Sequence, residues 1–122
     1  MRNAINWFEI PSTDFERAVT FYSTILGEIV RKEVVAGIPN GILPYSSDGD
    51  GAVGGAIVFD ARVTPSMNGV TPYLNCNGII DDVLARVPAA GGAVLLPRTD
   101  IGFGSIALIV DSEGNRIGLH SN

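Results

Sequence analysis

The sequence predicts an α+β protein built from two βαβββ modules whose strands form a cup-shaped, curved sheet. Two observations carry this. An alternating stretch, a Pro-Ser-Thr-Asp turn and a helical stretch ending in Gly follow one another from Ile5 to Gly27, and a similar sequence of signals returns from Thr71 to Gly92. The two terminal glycines, Gly27 and Gly92, stand about half the chain apart, as in a tandem duplication. The 122 residues then divide into module one (1–60), a linker (61–69) and module two (70–122) within a single domain.

The first strand spans Ile5 to Ile10. Strand side chains alternate, so Trp7 and Glu9 share one face and Phe8 and Ile10 the other. Thr13 or Asp14 caps the helix that follows, with Glu16 three residues after Thr13 as in a capping box. Phe15, Ala18, Val19, Tyr22, Ile25 and Leu26 form its apolar stripe, and Gly27 suits the left-handed position after its last turn. The stripe covers Phe8 and Ile10, which leaves Trp7 and Glu9 on the open face.

Glu28 to Val35 reads as the second strand, residues 37–40 as a turn, and Gly41 to Tyr45 as the third strand. Residues 46–51, SSDGDG, lack the acid spacing and closing Glu of a calcium loop and read as a polar turn. Ala52 to Phe59 is the fourth strand, and its Gly54-Gly55 pair signals a bulge or a close backbone approach.

In module two, Thr71, Tyr73 and Asn75 share the open face while Pro72, Leu74 and Cys76 face the helix. Ile80, Val83, Leu84 and Val87 form the helical stripe. Pro88 either ends this helix near Val87 or bends it into Ala89-Ala90. Strands follow at Ala93–Leu96, stopped by Pro97, at Ser105–Val110, and after the DSEGN turn at Arg116–His120. A ferredoxin-like fold is the structural alternative, but it has one strand pair between its helices where three strands are counted here.

Composition bounds the function. Thirteen acids against eight bases give a net charge of −5, which argues against a nucleic-acid partner. The excess mildly favours a cationic ligand, although solubility alone explains an acidic surface. One cysteine excludes an internal disulfide and points to the cytoplasm. The start, MRNAINWFEIP, holds no signal-peptide run, and no apolar run approaches the ~20 residues of a membrane helix.

The D-x-E-R-A-x-x-F-Y pattern at Asp14–Tyr22, the AAGGAVLLPRTDIG string and the D-x-E-G-N-x-I pattern at Asp111–Ile117 resemble the vicinal-oxygen-chelate superfamily of glyoxalase I, bleomycin-resistance proteins and extradiol dioxygenases. The resemblance covers nearly the whole chain. It implies paired modules, a cup-shaped site and commonly a homodimer. In metal-dependent members the ion is held by side chains from the first and last strands of each module. The corresponding positions here carry Trp7, Thr71 and Gly118, and the closing Glu of module one has no counterpart. Divalent metals need several His or carboxylate donors converging at ~2.0–2.2 Å, which Trp, Thr and Gly do not provide. The expectation is no metal and no cofactor.

The ligand-binding candidates are Trp7, Glu9, Thr71, Tyr73, Asn75 and His120. Trp7 can stack on a planar ligand or fill the core. Glu9 is either a functional carboxylate in the cleft or half of an ion pair with Arg98, Arg116 or His120. His120 is a candidate general base or a capped residue near the C-terminus. Cys76 faces the helix and reads as a small buried apolar residue. Three functions are open: a metal-free protein that binds a small organic ligand; a glyoxalase-I-like lyase or dioxygenase-type metalloenzyme; and a metal-independent lyase or isomerase using Glu9 and His120 as its catalytic pair.

Overall fold

The computed structural model describes residues 3–46 and 51–122, so most of the predicted 46–51 turn lies outside the described residues. The order is β1 (Trp7–Pro11), α1 (Phe15–Leu26), β2 (Arg31–Val35), β3 (Ile38–Ile42), β4 (Gly54–Val58), β5 (Tyr73–Asn75), α2 (Ile80–Ala90), β6 (Ala93–Asp100), β7 (Ser105–Val110) and β8 (Arg116–Ser121). The fold is α+β, with two βαβββ modules. Each contributes one curved four-stranded sheet, ordered β1-β4-β3-β2 and β5-β8-β7-β6. In both, the first strand runs parallel to the last and forms one edge.

The helix termini follow from their residues. Asp14 is the N-cap of α1, and its carboxylate accepts from the Arg17 N–H at 3.1 Å. Glu16 therefore takes no part in a capping box and pairs with Lys32 at 2.7 Å. The reciprocal half of the cap comes from the other module, where Glu113 Oε1 accepts from the Thr13 and Asp14 N–H groups at 3.0 and 2.9 Å. Gly27 is left-handed, at φ 70°. The second helix runs through Pro88 to Ala90, with left-handed Gly91 as its C-cap. A proline this close to the end removes only one of the last helical bonds.

Several strand boundaries differ from the sequence reading. The first turn lies at Ala36-Gly37 rather than 37–40, so β3 begins at Ile38 and ends before Pro44 and Tyr45. Pro97 does not stop β6. That strand is an edge, where a missing N–H is tolerated, and its register shifts between Val94 and Leu96 and between Leu96 and Thr99. Gly54 and Gly55 pair in continuous register with Trp7 and Phe8, so they mark close approach and not a bulge. The Phe8 ring lies against Gly55 on the helix side, and the Tyr45 ring stands where a Gly54 side chain would be, 2.6 Å from an added Cβ.

The main core joins both modules. Ile10, Ala18, Phe21, Tyr22, Ile25 and Ile57 of module one share one buried cluster with Leu74, Cys76, Val83, Val87, Ile109, Ile117 and Leu119 of module two. The helices α1 and α2 pack against each other, α1 also against β4 and α2 against β6 and β8. A second small cluster, Ile42, Ala56 and Val58 with Ile38, lies on the other face of the first sheet. Burial of these side chains removes apolar surface from water at roughly 25 cal/mol per Å2, which makes the inter-module seam a principal source of stability.

Candidate functional site

A cavity of about 890 Å3 opens between the edge strands β1 and β5, lined by residues of both modules. This is the size range of a small-molecule pocket. A second hollow, of about 120 Å3, lies under the linker beside Glu9 and Arg116 and is too small for the same role.

The two edge strands set the walls. Register puts Tyr73 opposite Gly118 and Asn75 opposite His120, so these four share the open face of the second sheet. The Tyr73 ring lies directly against Gly118, in the place a side chain there would occupy. Thr71 is tied to the same face, its hydroxyl accepting from Arg116 Nε at 3.0 Å. On the first sheet, Trp7 and Glu9 share the open face with Gly54 and Ala56. The Trp7 and Tyr45 rings meet edge to face at 6.3 Å.

The sequence-predicted residues divide accordingly. Glu9, Thr71, Tyr73 and Asn75 line the large cavity. Trp7 stands behind Tyr45, outside the lining, and is 38% exposed. His120 is half-buried on β8 beside Gly104, also outside the lining. Glu9 is exposed rather than buried, and among the described residues it forms none of the proposed ion pairs. Arg98 holds Asp81 instead, and Arg116 holds Thr71. Cys76 is fully buried, and burial pushes its thiol up to about 11, which keeps it an unreactive apolar filler.

Phe8, Glu28 and Tyr45 are among the lining residues that the sequence did not point to. The glycine pair at 54–55 signalled that something approaches this strand closely. The partners' identities depend on where β1 and the Pro44-Tyr45 segment cross it.

The donor set does not fit a divalent metal. Trp7, Thr71 and Gly118 occupy the positions named above, and Gly118 is covered by the Tyr73 ring. Among the described residues, no three His, Cys, Asp or Glu side chains converge where they could hold an ion. Also among the described residues, no helix is long and apolar enough to cross a membrane.

At the N-terminus of α1, a polar clasp ties the two modules together. Glu113, on the turn before β8, accepts from Arg17 Nε at 2.8 Å, from the Thr13 hydroxyl at 3.3 Å and from the two N–H groups of the α1 cap. Its side chain is shielded from solvent. Burial opposes its charge, but Arg17, the Asp14 and Thr13 N–H groups and the Ser112 hydroxyl together outweigh that and hold the carboxyl down at about 2. At the other end of α1, the Arg86 guanidinium donates to the Ile25 carbonyl at 3.3 Å. The helix thus has an acid at its N-terminus and a base at its C-terminus, both from module two, as its dipole favours.

No protein-family model matches the sequence. The chain is 30% identical over 119 residues to the protein named "Putative glyoxylase CFP32" of Mycobacterium tuberculosis and of Mycobacterium bovis, covering 93% of this chain and 44% of those proteins. It therefore spans about half the length of the curated relatives it matches. Among solved structures it superposes on a glyoxalase/bleomycin resistance protein from Albidiferax ferrireducens T118 with a TM-score of 0.75 and 17% identity, over 98% of this chain and 99% of that one. It superposes on a glyoxalase I mutant from Zea mays with a TM-score of 0.71 and 23% identity, over 95% of this chain and 45% of that one. Two paired βαβββ modules, with each closing strand parallel to the first, give the chain the fold of these glyoxalase and bleomycin-resistance proteins, and its sequence is similar to part of the two mycobacterial proteins.

Proposed function

We propose that this protein is a glyoxalase/bleomycin-resistance-like binding protein that takes a small organic ligand into the cavity between β1 and β5 without a metal ion. The observation that carries the proposal is the Tyr73 ring against Gly118. An aromatic surface stands where metal-using relatives are expected to present a carboxylate. Tyr45 against Gly54 repeats the arrangement on the first sheet. The glycines let the rings lie flat on the strands, which offers apolar contact area with hydroxyls at the rim. Thr71 and Asn75 add polar groups that orient a guest.

The reading further has the protein act as a homodimer in the cytoplasm. It is supported by exposed apolar side chains at the outer sheet edges, Val34 and Val35 among them, and by the single, buried, unpaired Cys76. The metalloenzyme reading loses ground because too few donors converge. An acid–base pair of Glu9 and His120 is disfavoured because only Glu9 lines the cavity.

Two measurements test the proposal together. A library of planar organic molecules is screened for ligands that raise the melting temperature, with Trp7 emission followed in parallel. Purified protein is also titrated with zinc and nickel. A stabilising ligand whose effect survives a chelator is the expected result. Stoichiometric, chelator-resistant metal would overturn the metal-free part, and no stabilising ligand would overturn the binding part.

A further inference from the structure

We infer that the guest of the inter-module cavity is an organic cation with a planar apolar body, an inference that rests on the proposed binding role. The charges around the cavity carry it. Its ionised lining side chains are Glu9, on β1, and Glu28, just past the end of α1; among the described residues no Lys, Arg or His lines it. The rest of the wall is mostly apolar or aromatic, with Phe8, Tyr45 and Tyr73 contributing rings and Ser46, Thr71 and Asn75 uncharged polar groups.

Among the described residues, none of the nearby bases pairs with these carboxylates: Arg86, whose guanidinium lies against Gly27, donates to the Ile25 carbonyl, and Arg116, which shares the small hollow with Glu9, donates to the Thr71 hydroxyl. Arg62 lies close enough to feel the Glu9 charge, but Asp60 grips it with contacts of 2.7 and 3.0 Å. Lys32 holds Glu16, and Arg17 holds Glu113. Glu9 and Glu28 have no salt-bridge partner among the described residues. A guest entering this space thus meets negative charge from both carboxylates and the electron-rich faces of the rings. Both attract a cation, and both strengthen as the guest displaces water. An anion meets repulsion from both carboxylates, and no base among the described lining residues offsets it. The chain's net charge of −5 adds a longer-range field of the same sign.

The test uses three fused-ring probes of similar size: 9-aminoacridine as the cation, acridine above its own pKa as the neutral form, and anthracene-9-carboxylate as the anion. Each is titrated calorimetrically into the native protein and into Glu9→Gln, Glu28→Gln and the double variant. Both carboxylates are exposed, so the variants are expected to fold, and their melting temperatures verify it.

The expected result is that the cation binds at least about ten-fold more tightly than the neutral probe. The anion binds weakest, and the double variant loses the preference while still binding acridine. If acridine binds and the cation gains nothing over it, this inference is overturned and the binding role stands. A preference that persists in the double variant overturns the assignment to Glu9 and Glu28. If no probe binds, both the inference and the role beneath it fail.

Discussion

The Tyr22 hydroxyl, on the buried face of α1, donates to the Asp111 carboxylate at 2.6 Å across a sequence separation of 89 residues. Tyr22 is fully buried, and Asp111 is buried at the turn between β7 and β8. The same carboxylate also accepts from the Glu113 and Asn115 N–H groups and from Asn115 Nδ2, each at 2.9 Å. Asn115 Nδ2 in turn donates to the Pro11 carbonyl at the end of β1. This network fixes the angle between the modules and hence the width of the cavity between β1 and β5. Burial first, and the adjacent Asp111 charge second, push the Tyr22 hydroxyl well above its ordinary pKa, so it remains a donor throughout the physiological range.

Tyr22→Phe is therefore expected to destabilise the protein by about 1–3 kcal/mol, since Asp111 loses a hydrogen-bond donor in a buried setting. Urea denaturation measures this. The Asp111→Asn, Tyr22→Phe double variant is expected to lose less than the sum of the singles, because the two groups act as one unit.

The clasp at Glu113 predicts an acid-dependent loss of stability. Its carboxyl lies near 2 when folded against 4.5 as its ordinary value. A depressed folded pKa contributes stability that is fully present above the unfolded value and lost as pH falls through the folded one. The melting temperature should thus fall as pH drops from about 4.5 toward about 2, with Asp60, also held near 2 by the Arg62 hydrogen bonds, adding to the slope. Glu113→Gln should cost about 2 kcal/mol at neutral pH and nearly nothing at the acid end. A variant gap that stays constant with pH would contradict this.

The ring-on-glycine contacts predict unequal costs for one methyl group. At Gly55 the added Cβ meets the Phe8 ring, which is half-buried and packs against the main core, so its movement disturbs that packing. At Gly118 it meets Tyr73, which is 50% exposed and can swing outward. Gly55→Ala should cost more than Gly118→Ala, which belongs at the low end of the ~1–3 kcal/mol range for overpacking. Adding Tyr73→Ala should restore the stability of Gly118→Ala but weaken ligand binding. Thermal melts and binding titrations distinguish the two effects.

Cys76 should resist alkylation in the native protein, because burial raises its thiol to about 11 and leaves little thiolate at neutral pH. Iodoacetamide labelling followed by mass spectrometry checks this. Modification is expected only as urea unfolds the chain, and rapid labelling of the native protein would show that the second module opens locally.

Much of the architecture is written locally in the chain. Period-two alternation placed Trp7 and Glu9 opposite Phe8 and Ile10, and Tyr73 and Asn75 opposite Leu74 and Cys76. The 3.6-residue stripe and left-handed Gly27 delimited α1. These features arise from residues within a turn or two of each other, so each leaves a period or a cap that can be read directly. The edge-strand course of β6 through Pro97 was not legible, because tolerance of a missing N–H depends on which neighbour lies beside it. Nor was Glu113 capping a helix about a hundred residues away, or Tyr45 and Glu28 joining Tyr73 at one cavity. Contacts between distant segments leave no periodic trace in either one. They exist only once the shared core has brought the edges of β1 and β5 to face each other, and that docking gathers the strand-face side chains and the unanticipated ones into a site.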